Sequence, residues 1–289
     1  MFSIEIQKLK LSLEIVPVAS LFSHEEVIPQ SANKLILEFK NLANLQNPII
    51  VEENHVILDG NHRAYAFKAL NLSYIPVCKI DYFNRRTKLR YWFRHLGNLK
   101  QIDRLQKVVS ALGGSWHRVS DGPALKKILQ ENCLACGIQH GGTYILVDFP
   151  EKTACDALTA YDTIQDIQNE LTALDVTLEY IPCNTVLQDK FCVRLKTDEA
   201  VLWTPQITKQ MVVDTAKMKK VFAPKTTRHV IPVRPLNVNV PGHWFKEKIS
   251  LEAINRRFSD FLETKRIRRF NPGMVLDGRY YEEALVVFY

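Results

Sequence analysis

The stretch at residues 56–70 constrains the fold most, because it combines a strand, a tight turn and a helix in direct succession. The apolar run at 56–58 ends in Asp59-Gly60, which is a turn signal. Apolar side chains then recur at helical spacing, at Ala64, Phe67 and Leu70. Such a junction leaves backbone N–H groups without partners at the positive end of the helix dipole. The sequence therefore predicts an anion-binding site here.

The polar residues of this turn agree with that prediction. His62 and Arg63 fall in the first helical turn, where cations are locally unfavourable, so a bound anion would offset them. Gly60 lets the backbone come close to a ligand. Asp59 is placed to hold a divalent metal on the phosphates of that ligand. The alternative interpretation is a surface turn with one polar helix end.

A second polar cluster lies at residues 225–229. Two cations, two hydroxyls and an imidazole follow one another there, in Lys225, Thr226, Thr227, Arg228 and His229. Guanidinium and hydroxyl donors suit the oxygens of a phosphate. The cluster predicts an oxyanion-binding loop, and a solvated surface loop is the alternative.

Four segments resemble the free serine kinases of the SerK/SbnI type, which belong to the ParB/sulfiredoxin superfold. They are residues 23–27, the turn that begins at Asp59, residues 81–83 with Trp92 behind them, and residues 224–232. The last segment is the most specific, and together they extend from about residue 15 to about residue 240. Asn61 departs from the family pattern, in which a second histidine is expected. The resemblance implies an α/β (α+β) fold with a ParB/sulfiredoxin-like N-terminal domain.

The resemblance also implies an activity, namely phosphoryl transfer from ATP or ADP to the hydroxyl of free L-serine, with Mg²⁺ as cofactor. It makes Glu25 the catalytic base and leaves Glu26 as the register alternative. Without the resemblance, both would be ordinary first-turn acids of a helix. Trp92 is expected near the bound serine, although a core or interface aromatic is the simpler interpretation. Nucleotide phosphates are assigned to Asp59, Gly60, Asn61, His62, Arg63, Lys225, Thr226 and Thr227, the metal to Asp59, and the substrate to Trp92, Arg228 and His229.

The length of 289 residues suggests two domains. Residues 1–112 are predicted to form the nucleotide-binding domain, and Gly113-Gly114 marks a break. Residues 113–241 are predicted to form a second small α/β domain, and residues 242–289 a C-terminal extension outside the resemblance. No apolar run approaches the roughly 20 residues of a membrane span, and charges interrupt the apolar N-terminus, as at Glu5 and Lys10. A cytoplasmic protein is therefore expected.

The net charge of +7 suits an anionic ligand such as a nucleotide, and it also suits nucleic acid. Basic clusters lie at residues 85–94 and 265–269, where solvated helical faces are the default interpretation. The alternative function is a ParB-like, nucleotide-responsive regulator that binds DNA, but no helix-turn-helix pattern is evident. Cys133, Cys136 and His140 have partial metal spacing, which supports a zinc site only weakly.

Hydrophobic periodicity predicts the remaining elements. One strand is expected over residues 3–18, followed by a helix that Ser31 caps. A long basic helix is expected over residues 85–112. Further strands are expected at 49–51, 55–58, 75–80, 143–149, 176–181 and 191–195, and further helices at 125–133, 154–174, 206–219 and 251–261.

Overall fold

The computed structural model describes residues 2–6, 9–183 and 195–289. The chain forms two compact units. The first unit comprises Met1–Lys88, Val213–Lys220 and His229–Tyr289, and the second comprises Leu89–Val212 and Val221–Arg228. Each unit has its own sheet and its own apolar core.

The N-terminal part of the first unit is an α/β layer. Its elements are β1 (Phe2–Ile6), β2 (Leu9–Pro17), a 3₁₀ turn (Val18–Ser20), α1 (Pro29–Phe39), β3 (Asn44–Leu45), β4 (Ile49–Val51), β5 (Ile57–Asp59), α2 (Asn61–Ala69) and β6 (Tyr74–Lys79). Five strands form one sheet in the order β1-β2-β6-β4-β5. The β4–β6 pair is parallel, while the other pairs are antiparallel. The two helices meet through the rings of Phe39 and Phe67, whose centroids lie 5.6 Å apart.

The second unit is built on a six-stranded antiparallel sheet. The elements in this part of the chain are β7 (Lys88–Arg90), β8 (Trp92–Gly97), α3 (Ile102–Ala111), β9 (Ser115–Val119), α4 (Gly122–Glu131), β10 (Ala135–His140), β11 (Thr143–Asp148), α5 (Ala157–Ala173), β12 (Thr177–Pro182), β13 (Ala200–Trp203) and α6 (Lys209–Lys217). The sheet order is β12-β8-β13-β10-β11-β9. Aspartates cap two of the helices, since Asp121 accepts from Ala124 N and Asp156 from Thr159 N.

The C-terminal segment completes the first unit. Its elements are β14 (Arg228–Val230), β15 (Val233–Leu236), β16 (Val240–Pro241), a 3₁₀ turn (Gly242–Lys246), α7 (Leu251–Glu263), β17 (Ile267–Phe270), β18 (Met274–Leu276), β19 (Arg279–Tyr281) and β20 (Ala284–Phe288). Strand β20 lies between β15 and β17 and runs parallel to β15. The side chain of Asn255 in α7 pairs with both the N–H and the carbonyl of Ile15 in β2, at 2.9 and 2.8 Å. Residues 242–289 are therefore an integral part of this unit.

Most of the predicted elements are confirmed, but the expected helix over residues 85–112 is wrong. Residues 92–97 form β8, which lies inside the sheet between β12 and β13. Pairing on both edges overrides the helical spacing of Trp92, Phe93 and Leu96. Arg94 is fully buried, so it is not part of a solvated basic face. Only α3, at the end of the predicted range, is helical.

Two further expectations at the N-terminus are wrong. Residues 3–18 contain two antiparallel strands instead of one, with Glu5 opposite Lys10. Helix α1 begins at Pro29, a residue type that suits the first helical turn. Ser31 therefore lies inside the helix, and Ile28 takes the N-cap position without a side-chain cap. The strand expected at 191–195 falls almost entirely outside the described residues.

The predicted domain ranges do not coincide with the two compact units of the structure. The first change of unit falls between Lys88 and Leu89, whereas the predicted boundary lies at Gly113-Gly114. The ranges 1–112, 113–241 and 242–289 stay a prediction. None of the helices in the described part of the chain combines the length and the apolar character that crossing a lipid bilayer requires.

Candidate active site

The turn between β5 and α2 has the predicted strand–turn–helix geometry. Strand β5 ends at Asp59, Gly60 is the N-cap, and α2 begins at Asn61. Gly60 has a φ of 106°, and a Cβ at this position would lie 2.5 Å from Cγ2 of Ile49. Only glycine meets both demands without strain, so the backbone of this turn is fixed by its sequence.

A cluster of four charged residues surrounds this turn within the first unit. Oδ2 of Asp59 accepts from Nη1 of Arg234 at 2.6 Å and from Nη2 of Arg63 at 3.2 Å. Nε of Arg234 donates to Oε1 of Glu283 at 2.6 Å. Burial alone would raise the pKa of Asp59, but the charges of Arg234 and Arg63 outweigh it and hold that pKa far below its usual range. Asp59 is therefore a carboxylate at neutral pH.

Both basic residues of the turn, Arg63 and His62, contact other groups of the protein. Nη1 of Arg63 donates to the carbonyls of Asn47 and Pro48, at 2.6 and 3.1 Å. Nε2 of His62 accepts from the backbone N–H of Ile28 at 3.0 Å, which requires an imidazole that is unprotonated at this nitrogen. A bound anion is thus not needed to offset Arg63, and the phosphate-binding roles of both residues stay predictions.

Asp59 and Asn61 each present one oxygen that the turn does not use. No described residue donates a hydrogen bond to Oδ1 of Asp59, while Oδ2 takes both guanidinium groups. Oδ1 of Asn61 is buried and has no hydrogen-bond partner among the described residues. A carboxylate oxygen of this kind fits Mg²⁺, which is usually bound through one or two carboxylates together with substrate phosphates.

Glu25 lies in the loop before α1 and is half-buried, whereas Glu26 is exposed. Helix α1 has no acidic residue in its first turn, so neither glutamate has the helix-dipole role that was the alternative interpretation. Neighbouring residues of the same loop contact the strand and the helix on either side of the turn at Asp59.

Three contacts fasten this loop to the strand and helix that flank the turn. Phe22 donates to the carbonyl of His55 at 3.0 Å and accepts from Ile57 N at 2.9 Å. Farther along, Ile28 N donates to His62, as described above. His24 is fully buried; burial lowers its pKa to about 4, and a hydrogen bond to the backbone of Ile57 opposes that shift. His24 is therefore neutral at pH 7.

His229 joins this group within the first unit. Its ring meets that of His24 edge to face, with centroids 5.4 Å apart and planes at 89°. Its Nε2 lies 2.8 Å from the hydroxyl oxygen of Tyr82. Burial raises the pKa of Tyr82 well above its usual range, so the phenol stays protonated.

The predicted substrate side chain Trp92 and residues 225–227 lie together in the second unit. Nζ of Lys225 lies 4.6 Å from the centroid of the Trp92 ring, within cation–π distance. Nε1 of Trp92 donates to the carbonyl of Thr227 at 2.9 Å. Oγ1 of Thr226 is buried and donates to the carbonyl of Ala223 at 2.8 Å. The indole therefore fixes the backbone of this segment.

The predicted site residues thus fall into two groups. The first unit holds Glu25, Asp59, Gly60, Asn61, His62, Arg63 and His229, and the second holds Trp92, Lys225, Thr226, Thr227 and Arg228. Sequence reasoning did not assign a site role to Arg234, Glu283 or Tyr82. A signal was available for Arg234, because an arginine within an apolar strand needs a buried partner.

The zinc alternative gains no support within the described ranges. No group of three or more histidines, cysteines and acids is arranged there to hold a metal ion. Cys136 lies in β10 in the core of the second unit, where burial raises the pKa of its thiol well above the usual range. A thiol in this state is a poor metal ligand.

Comparisons with known proteins agree with this fold. No family model matches the chain. Two relatives named ATP-dependent L-serine kinase, from Staphylothermus marinus and Desulfurococcus mucosus, are 27% and 26% identical. Each match covers 78% of this chain and 88% of the relative. A solved structure of SbnI from Staphylococcus aureus with a C-terminal truncation superposes with a TM-score of 0.67 at 18% identity, and the match covers 87% of this chain and 95% of that one.

The predicted mixed α+β fold is confirmed, because the chain combines helices with several sheets and superposes on the structure of SbnI. Within that class, the resemblance to free L-serine kinases of the SerK/SbnI type is also confirmed.

Proposed function

We propose that this protein is a free L-serine kinase that transfers a phosphoryl group from ATP or ADP to the serine hydroxyl and forms O-phospho-L-serine. The observation that carries the proposal is the turn at Asp59, where an αL glycine joins a strand to a helix N-terminus without a side-chain cap, in a chain similar to two L-serine kinases. Such a turn is suited to nucleotide phosphates.

The chemistry assigned to this site is mostly positioning and charge neutralisation. The serine oxygen attacks the terminal phosphorus, the bond from that phosphorus to the leaving nucleotide oxygen breaks, and the serine hydroxyl proton passes to Glu25. A carboxylate suits that role when it lies within hydrogen-bond reach of the hydroxyl. The contacts of Phe22 with Ile57 and of Ile28 with His62 support this assignment, because Glu25 lies between these two loop residues in the chain.

Magnesium is the proposed cofactor, and Asp59 is its proposed protein ligand through Oδ1. When bound, the ion would neutralise charge on the phosphates that are transferred. The backbone N–H groups at the start of α2, with Asn61 and His62, would face the phosphates. Lys225, Thr226 and Thr227 are proposed as further phosphate ligands, and Trp92, Arg228 and His229 as serine ligands.

ATP is the first donor to test, because both relatives described above are named ATP-dependent. The cytoplasm is the proposed location, since both substrates of the reaction are small charged metabolites. The DNA-binding alternative is not favoured. The basic helix proposed for its phosphate contacts at residues 85–94 is absent, and Arg94 is buried within cation–π distance of the rings of Tyr161 and Tyr180.

The deciding experiment is an amino-acid screen with the purified full chain. ATP or ADP with Mg²⁺ is incubated with L-serine, D-serine, L-threonine or no acceptor, and phosphorus NMR detects new phosphomonoesters. We expect a new signal with L-serine that is absent without an acceptor. The absence of phosphoserine with both donors, together with DNA affinity that falls steeply with salt, would instead support the alternative.

A further inference from the structure

We propose that Glu283 is a positioning residue for the kinase reaction, because it orients Arg234, which in turn orients the carboxylate of Asp59. The inference rests on the proposed function and deepens it, since it makes the C-terminal segment part of the active site. Glu283 lies in residues 242–289, the extension that the family resemblance did not cover.

The geometry is that of one guanidinium bridging two carboxylates. Arg234 directs Nη1 to Oδ2 of Asp59 and Nε to Oε1 of Glu283, and both distances are 2.6 Å. Because the guanidinium is planar and rigid, two such contacts fix both its position and its rotation. Glu283 therefore sets the orientation of Asp59 indirectly, through Arg234. The other oxygen of Asp59, Oδ1, is the proposed metal ligand.

Backbone pairing places Glu283 beside Arg234. Strands β15 and β20 run parallel, with Val233 opposite Ala284 and Arg234 opposite Leu285. Ala284 N also donates to the carbonyl of Pro232 at 3.3 Å. The pairing of β15 with β20 therefore fixes the backbone of Glu283 close to that of Arg234.

Because Glu283 is both charged and buried, its removal should disturb the orientation of Arg234. The side chains of Arg234 and Glu283 are each only 8% exposed, so both charges are largely removed from water. Removing one member of a buried ion pair leaves the other charge without compensation. Without Glu283, Arg234 keeps Asp59 as its one carboxylate partner among the described residues, and its Nε contact is lost. The guanidinium is then free to rotate about Asp59.

The test compares Glu283→Ala with Glu283→Gln in the full chain. Glu283→Ala should lower kcat/KM for MgATP roughly 10- to 100-fold, the usual scale for losing the partner that orients a metal ligand. KM for serine should change less than about threefold, since Asp59 is not assigned to serine. Glu283→Gln keeps an oxygen that can accept from Nε of Arg234 but removes the negative charge, so it should recover only part of the loss.

A matched control comes from another ion pair of the same segment. Glu247 accepts from Arg257 at 2.7 Å, and neither residue contacts Asp59. Glu247→Ala should keep kcat/KM within about twofold of the wild type. Arg234→Lys keeps the charge but loses the planar fork, so it should resemble Glu283→Ala.

A second readout separates positioning from general loss of structure. The dissociation constant of ADP should rise about tenfold in Glu283→Ala when Mg²⁺ is present, and it should equal that of the wild type when EDTA replaces Mg²⁺. A merely structural role would weaken both. The inference is overturned if folded Glu283→Ala has the kcat/KM of the wild type. It is also overturned if its affinity for ADP falls equally with and without Mg²⁺.

Two other results are also decisive. If Glu283→Ala does not fold, Arg234→Lys and Glu283→Gln carry the test, and wild-type activity in Arg234→Lys overturns the inference. If the wild type phosphorylates no serine, the proposed function fails, and the Mg²⁺-dependent ADP affinities of wild type and Glu283→Ala decide on the positioning role alone.

Discussion

The turn at Asp59 in the first unit and residues 225–227 in the second unit each place a cation next to polar residues in a short span. The two regions are held in different ways. At the turn, Arg63 is paired with a carboxylate and with two carbonyls. In residues 225–227, the ammonium group of Lys225 lies over the indole ring of Trp92. The N–H of the same indole donates a hydrogen bond to the carbonyl of Thr227.

The difference shows which property each region depends on. In the first region, opposite charges are matched at short distances, so a change of charge at constant shape should have a large effect. In the second, a flat aromatic surface supports the segment, so a change of shape at constant charge should matter, although less. The predictions below test that distinction, beginning with the largest effect.

Glu25→Gln changes charge at nearly constant shape and should have the largest effect. Loss of a general base usually lowers turnover roughly a hundredfold or more. The amide cannot accept the serine proton as a carboxylate does, whereas ADP affinity should change little. Initial rates of phosphoserine formation and calorimetric ADP binding measure the two quantities.

Glu26→Gln is the matched control, since it makes the same change at the next residue, which is exposed. It should retain activity within about twofold. Normal turnover in Glu25→Gln with a large loss in Glu26→Gln would shift the catalytic role by one residue.

Asp59→Asn should lower kcat/KM about thirtyfold, equivalent to about 2 kcal/mol. The amide removes the negative charge shared by Arg63 and Arg234, and it is a poorer ligand for Mg²⁺. Steady-state kinetics over a range of Mg²⁺ concentrations provides the measurement. Asp260→Asn, an exposed acid in α7, is the control. Equal kinetics in the two variants would contradict the idea that charge governs the first region.

The buried histidine His24 should make the stability of the protein depend on pH. Its pKa is about 4 in the folded state, against 6.5 in the unfolded state, so the unfolded state binds more protons between these values. The stabilisation is complete above about pH 7 and is lost as the pH falls from 6.5 towards 4.

Between pH 7 and pH 5, this histidine should reduce the free energy of unfolding by about 2 kcal/mol. Urea unfolding at several pH values measures the slope, and His24→Gln should flatten it. An unchanged slope in His24→Gln would mean that other groups cause the pH dependence.

The sequence was sufficient to predict the turn at Asp59, because its strand, glycine and helix are all specified by neighbouring residues. The same holds for α5, where the apolar spacing and the cap at Asp156 are local. Local signals also placed Glu25 in a loop before a helix. These features need no knowledge of distant contacts.

Other features depend on long-range pairing and were not predictable in the same way. Residues 92–97 have helical spacing but become a central strand, because β12 and β13 pair with both of their edges. The contacts of Asp59 with Arg234 and of Arg234 with Glu283 join residues 175 and 49 positions apart. A basic composition at residues 85–94 likewise did not reveal that Arg94 is buried.

Trp92→Phe should have the smallest of these effects, because it changes shape and leaves every charge in place. Phenylalanine lacks the indole N–H that holds the carbonyl of Thr227, and it is a weaker cation–π partner for Lys225. The two losses together amount to about 1 kcal/mol. This corresponds to about a fivefold lower kcat/KM for serine.

Trp116→Phe is the matched control, since Trp116 lies in the same unit and its Nε1 has no hydrogen-bond partner among the described residues. It should leave the kinetics for serine unchanged. If Trp92→Phe lowered kcat/KM as much as Asp59→Asn, the distinction between the two regions would be removed. A change of shape and a change of charge would then have equal effects. A loss near fivefold, with none in Trp116→Phe, would mean that the indole N–H of Trp92 supports the segment through the backbone of Thr227.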